Sequence, residues 1–179
     1  MNEDQIAYII KEVLHTLIYL QEAGVLHRDV KGSNILLTAA AEVRLVDYGV
    51  SCRLGSEEER RRSRVGTPYW MAPEVVLCGE GGAAGYDGRA DVWSVGVCVL
   101  ELAEGRPPLS SVHPARALLA IPRDPPPRLA RPEEWSTAMQ DLVTECLIKD
   151  FDQRPFLQEV RQQWTHSSPM TSTTDSPPR

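Results

Sequence analysis

The sequence predicts a mainly α fold, a bundle of helices carrying short β-hairpins around one polar loop. Three observations predict it. Apolar residues recur at the helical spacing through several long segments. Runs of β-like composition are only two to four residues long, and turn-forming residues interrupt them. Glycine and proline stand where the helical patterns stop.

Asn2 is placed to cap the first helix, with Gln5 in the partner position of a capping box. Ile6, Ile9, Ile10, Val13, Leu14, Leu17 and Ile18 share one face, which must be buried against something. Gly24 stands where a helix C-terminus favours glycine. The β-like runs Val25-Leu26, Ile35-Leu36-Leu37 and Val43-Arg44-Leu45-Val46 follow. Residues 51–66 are charged and weakly apolar, with Glu57-Glu58-Glu59 before Arg60-Arg61-Arg62, and read as a mobile, solvated loop. Residues 79–88 form a second, glycine-rich flexible stretch. Residues 91–104 predict a helix with apolar groups on most sides, hence a central one, stopped by Gly105 and Pro107-Pro108. A short helix over 114–121 ends at Pro122, and Pro125-Pro126-Pro127 favours an extended link. Two amphipathic helices are expected over 132–147 and 155–164, with Trp93 and Trp135 as core residues. One compact domain followed by a short tail is therefore expected. The Ser/Thr/Pro-rich tail 165–179 has too few apolar groups to pack and is expected to be disordered.

At 179 residues the chain can bury a sizeable core. Its net charge of −6 argues against general nucleic-acid binding. No apolar run reaches the length of a membrane span, and Met1-Asn2-Glu3-Asp4 lacks the features of a secretory signal. Cys52, Cys78, Cys98 and Cys146 are scattered without a C-x-x-C pair, so reduced thiols in a cytoplasmic setting are expected.

The chemistry concentrates in His27-Arg28-Asp29-Val30-Lys31-Gly32-Ser33-Asn34. Phosphoryl transfer to a hydroxyl needs a carboxylate to orient the hydroxyl and accept its proton. It also needs hard oxygen ligands for Mg²⁺ and positive charge near the transferred group. Asp29, Asn34 and Lys31 supply these types within one short loop. Asp47-Tyr48-Gly49, after a β-like run, adds a second carboxylate suited to Mg²⁺.

These strings resemble the protein kinase family. The loop matches H-R-D-x-x-x-x-N, and Asp47-Tyr48-Gly49 resembles D-F-G with Tyr for Phe. Gly66-Thr67-Pro68-Tyr69-Trp70-Met71-Ala72-Pro73-Glu74 looks like the end of an activation segment. Asp91-Val92-Trp93-Ser94-Val95-Gly96 looks like the start of the central kinase helix. Four strings in this order and spacing exclude chance agreement. Lys31 and Thr67 imply Ser/Thr specificity. The segment 66–74 resembles the sterile-20 group, and within it the kinase domain of class III myosins, through stretches 45–51, 113–118, 121–127 and 146–151. A germinal-centre-type sterile-20 kinase is the nearest competitor.

The resemblance implies the C-terminal lobe of a Ser/Thr protein kinase, using ATP and Mg²⁺ on protein Ser/Thr hydroxyls, in a cytoplasmic, actin/myosin-associated context. It implies Asp29 as catalytic base, Lys31 at the γ-phosphate, and Asn34 and Asp47 as metal ligands. Ser33 and Leu36 are implied in nucleotide binding, Leu36 beneath the adenine. Arg28 would pair with a phosphorylated Ser63, and Thr67 would meet the residue after the phosphoacceptor. Glu74 with Arg154 would tie the activation segment to the late helices, and Asp91 would brace the catalytic loop.

A kinase also needs a Gly-rich loop, a strand lysine and a helix glutamate, and no string here resembles them. The N-terminal lobe is therefore expected to be missing, leaving the isolated chain weak in ATP binding and without turnover. The face around Leu26, Leu36 and Tyr48 is expected to be an exposed apolar patch. A non-catalytic docking module and a truncated gene product are the competing readings.

Overall fold

The computed structural model describes residues 1–55, 60–78 and 85–167. The chain opens with helix α1, Glu3–Glu22, whose Asn2 side chain accepts from the Gln5 N–H while the Gln5 side chain accepts from the Asn2 N–H. This reciprocal box satisfies two otherwise orphaned donors. All seven apolar positions of the expected face are buried. Gly24, with φ of 70°, turns the chain out of the helix.

Four short strands follow: β1 Val25–Leu26, β2 Ile35–Leu37, β3 Val43–Leu45 and β4 Cys52–Arg53. β1 pairs with β4 and β2 with β3, both antiparallel. Strand β4 falls inside the stretch expected to be a plain loop, where two residues carry no readable period. The loop is also tethered further on: Arg61 exchanges backbone hydrogen bonds with Tyr86, and Arg60 pairs with Asp87. Residues 56–59 and 79–84 of the two predicted flexible stretches lie outside the described residues.

Helix α2, Pro73–Leu77, leads toward helix α3, Arg89–Glu104. Every residue of α3 through Leu100 is buried, so it forms the axis of the body as predicted. It begins two residues before the expected start, and the Asp87 carboxylate accepts the Arg89 N–H at its first residue. Gly105 closes it with φ of 76° in the left-handed region. Helices α4, Pro114–Ala120, α5, Thr137–Cys146, and α6, Leu157–Ser167, complete the body. Helix α3 packs on both α1 and α5, and α6 closes against α1 and α5. The α3–α5 approach is close: a Cβ on Gly96 would sit 2.7 Å from the Cys146 Cβ and 2.9 Å from Leu147. Each aliphatic side chain fully buried in this core contributes about 1.5–3 kcal/mol.

The structure departs from expectation at three further places. The segment 132–147 is a 3-10 turn, Pro132–Glu134, then a break, then α5. Ser136 caps α5 by accepting from Met139, and Glu3 of α1 accepts the Ser136 N–H at 2.9 Å, so a tertiary contact sets the break. The last helix runs to Ser167, and residues 168–179 of the expected tail lie outside the described residues. Leu26 is 2% exposed and belongs to the core, not to the expected surface patch, because its strand pairing turns it inward; Leu36 at 50% and Tyr48 at 46% are exposed as expected.

Candidate active site

The loop between β1 and β2 is held from below. Asp91, in the first turn of α3, accepts the backbone N–H groups of His27 at 2.9 Å and Arg28 at 2.8 Å. Burial pushes the Asp91 carboxyl above its ordinary range, and these two donors offset only part of that rise. Arg28 sits at φ of 70°, a region costly for a residue with a side chain. The two bonds to Asp91 over-determine that geometry. His27 is fully buried; its Nδ1 accepts the Asp29 N–H at 3.3 Å and its Nε2 lies 3.3 Å from the Val46 carbonyl. That pair of contacts requires the tautomer protonated on Nε2.

Asp29 is 9% exposed and uses both oxygens. Oδ1 accepts from the Thr67 N–H at 2.9 Å and the Thr67 hydroxyl at 2.5 Å. Oδ2 accepts from Lys31 Nζ at 2.6 Å and, more weakly, from Asn34 Nδ2 at 3.3 Å. Burial alone would raise the carboxyl pKa. The hydrogen bonds from Lys31 and Thr67 and the Lys31 charge outweigh it and hold Asp29 below the usual carboxylate range. Lys31 also donates to the Thr67 hydroxyl at 2.8 Å, closing a three-residue ring between the loop and the segment ahead of α2.

The β2–β3 hairpin decides where the second carboxylate lies. Ile35 pairs with Leu45, and the Val46 N–H donates to the Asn34 carbonyl at 2.9 Å, so Asp47 leaves the hairpin beside Asn34. Asp47 is exposed, has φ of 65°, and accepts the Gly49 N–H at 3.2 Å. Tyr48 donates its hydroxyl to the Leu45 carbonyl at 3.2 Å and leans on the His27 ring, centroids 5.1 Å apart. It is a packing residue with a satisfied polar tip.

The Asn34 amide nitrogen is committed to the Asp29 carbonyl at 2.8 Å. Its oxygen accepts no hydrogen bond among the described residues, and Asp47 Oδ2 likewise has none. Two hard oxygens therefore remain open, one at the end of the 3-10 turn that precedes β2 and one just past β3, a donor set that fits Mg²⁺ keeping several waters. Among the described residues no cluster of three or more His, Cys, Asp or Glu exists, which leaves no rival all-protein cage there.

Arg28 reaches the other way. Its Nη1 donates to Ser63 Oγ at 2.9 Å, and its Nε donates to the Val50 carbonyl at 2.6 Å. Buried Tyr86 donates to the Ser63 carbonyl at 2.8 Å. Glu74 and Arg154 meet as a bidentate pair at 2.5 and 3.0 Å. Ser33 is exposed and makes no side-chain hydrogen bond among the described residues, and Leu36 is exposed on β2; the geometry links neither to Asp29.

One contributor escaped sequence reasoning. Glu101 of α3 accepts both the Gly32 N–H and the Trp70 indole N–H at 2.9 Å, joining the loop to the segment before α2. The available signal was a carboxylate inside a buried helix, which demands partners.

Similarity to known proteins agrees with this geometry. The sequence matches the protein kinase domain over residues 1–165, and the chain belongs to that family. It is 51% identical to Serine/threonine-protein kinase mig-15 of Caenorhabditis elegans, over 87% of this chain and 14% of the relative. It is 50% identical to Myosin-IIIa of Homo sapiens, over 90% of this chain and 10% of the relative. It is 52% identical to Misshapen-like kinase 1 of Rattus norvegicus, over 87% of this chain and 12% of the relative. Relatives from the sterile-20 kinases and from the class III myosins thus stand at nearly equal identity. The chain spans only 10% to 14% of the length of these curated relatives.

Proposed function

We propose that this chain is the C-terminal lobe of a Ser/Thr protein kinase that moves the ATP γ-phosphate to protein Ser or Thr hydroxyls. One observation carries the reading: the Asp29 carboxylate, held below the usual pKa range, is ringed by Lys31 and Thr67 and touched by the Asn34 amide nitrogen, whose own oxygen is open. Asp29 orients the substrate hydroxyl and accepts its proton. Lys31, already beside that carboxylate, neutralises charge on the group in transit. Asn34 and Asp47 hold magnesium, which when bound neutralises charge on the phosphates. Ser33 and Leu36 contribute to the nucleotide side, Leu36 as an exposed apolar floor for the adenine. Thr67 fixes the segment that meets the residue after the phosphoacceptor.

Regulation is read from Arg28. A phosphate on Ser63 gains charge-assisted hydrogen bonds from a guanidinium already 2.9 Å from its hydroxyl. Glu74, Asp91 and Arg154 are structural supports. The domain spans 3–164 with a short tail beyond. The names of the myosin relatives support an actin/myosin-associated, cytoplasmic setting, and no described helix is long and apolar enough to cross a membrane.

The test joins a Gly-rich N-terminal lobe ahead of Met1 and measures radiolabel transfer from ATP to a basic protein. Asp29→Asn is expected to lower the rate about 10²–10⁴-fold, and the present chain alone to stay at background. Equal rates with and without Asp29 would sink the reading.

A further inference from the structure

Beneath Tyr69, between α3 and the segment after α4, lies a cavity of about 180 Å³. Trp93 and Val97 of α3, Leu109, Ile121 and Pro127 form its walls with Tyr69, and none of them belongs to the phosphoryl-transfer site. Among the described residues, the only charged side chain in the lining is Asp124, which is exposed. Trp93 is 2% exposed, and its indole N–H is buried with no acceptor among the described residues.

A water is a poor occupant. Buried water needs two to four polar partners, and Tyr69 has already committed its hydroxyl to the Val112 carbonyl at 2.9 Å. Of the lining side chains, Trp93 alone keeps a buried polar atom without a partner among the described residues. The volume suits a ring: a dry apolar cavity of about 150 Å³ accepts benzene. We propose that this cavity is a ligand site for a neutral, ring-sized, mainly apolar molecule bearing one hydrogen-bond acceptor, which takes the Trp93 N–H. Asp124 at the lining disfavours anions. The site also touches the catalytic apparatus, because Trp70, next to Tyr69 in the chain, donates to the same Glu101 that holds Gly32.

Acetophenone, a ring with a carbonyl, and ethylbenzene, a ring without one, are the probes. Each is titrated into the ¹⁵N-labelled chain while the four tryptophan indole resonances are followed. Acetophenone is expected to shift the Trp93 indole with a saturable curve and a Kd of about 1 mM or tighter. Ethylbenzene is expected to bind about three- to tenfold more weakly for want of the acceptor. Ala120→Phe, at a half-buried lining position, fills the space and should weaken acetophenone by about tenfold or more. Trp93→Phe keeps a ring but removes the donor, and should abolish the preference between the two probes. A linear, unsaturated shift overturns the proposal. So does a response confined to Trp70, Trp135 or Trp164, equal binding of the two probes, or unchanged binding in Ala120→Phe.

Discussion

Two carboxylate–cation pairs in this chain are built to opposite ends: Glu74 and Arg154 stand 80 positions apart, Asp29 and Lys31 only two. Arg154 and Glu74 lie at 0% and 12% side-chain exposure. Arg154 spends its remaining donors on the Ile148 and Arg89 carbonyls and rests against the Trp93 ring. Lys31 and Asp29, at 19% and 10% exposure, meet at 2.6 Å; the Asn34 amide nitrogen touches Asp29, while the Asn34 oxygen, and Asp47 Oδ2 just past β3, accept no hydrogen bond among the described residues. The same charge chemistry is closed in one place and open in the other. A pair whose hydrogen-bonding capacity is used up within the protein fixes architecture. A pair bordered by unspent oxygens is available to a ligand.

The largest expected effect breaks the closed pair. Arg154→Ala leaves Glu74 without its cation and the two carbonyls without their donor. It should cost about 3–5 kcal/mol of stability, a large share of a typical domain's total, read as a drop in the urea midpoint. A double change of Glu74 and Arg154 to Met should recover most of that loss, because the penalty is the stranded charge rather than the absent attraction. If the double variant is as unstable as the single, Arg154 acts through its carbonyl contacts instead.

A smaller effect sharpens the comparison at the support beneath the open pair. Asp91→Asn offers one oxygen where two N–H groups need acceptors, and should cost about 1–3 kcal/mol. Amide exchange at His27 and Arg28 should accelerate more than elsewhere in the loop. Uniform acceleration would mean that the loop is held by other contacts.

The smallest effect is the pH dependence of the open pair. Asp29 has its folded pKa depressed, so its contribution to stability is present above its unfolded pKa of about 3.9 and is lost as pH falls through the lower folded value. The stability difference between the wild type and Asp29→Asn should therefore be flat from about pH 7 to 5 and shrink below about pH 4. A difference that shrinks already between pH 7 and 6 would place the titration on another group.

Part of this architecture is legible in the amino-acid sequence. The capping box of Asn2 and Gln5 is a four-residue signal, and helix periodicity over 20 residues leaves little choice of buried face. The loop of residues 27–34 stands out because its residue types and spacing are confined to a few positions. Leu26 and β4 are not legible, since a two-residue strand takes its facing from a partner elsewhere in the chain. The break before α5 is invisible for a similar reason: Glu3, 133 residues away, captures Ser136. Glu101 carries only a weak signal, a charge in an apolar helix, with nothing to say which N–H groups it meets.

By itself, then, the sequence determined the local matters: which segments are helical, where they start and stop, and which loop bears the acid, the lysine and the amide. Periodicity, capping and turn chemistry act over a few residues and can be read from them. Tertiary structure alone decided that Thr67 closes on Asp29 across 38 positions, which N–H groups Asp91 meets 64 and 63 positions away, and that a ring-sized cavity opens under Tyr69. Hydrogen bonds and packing between remote segments depend on how the helices seat against α3, and no local pattern encodes that seating.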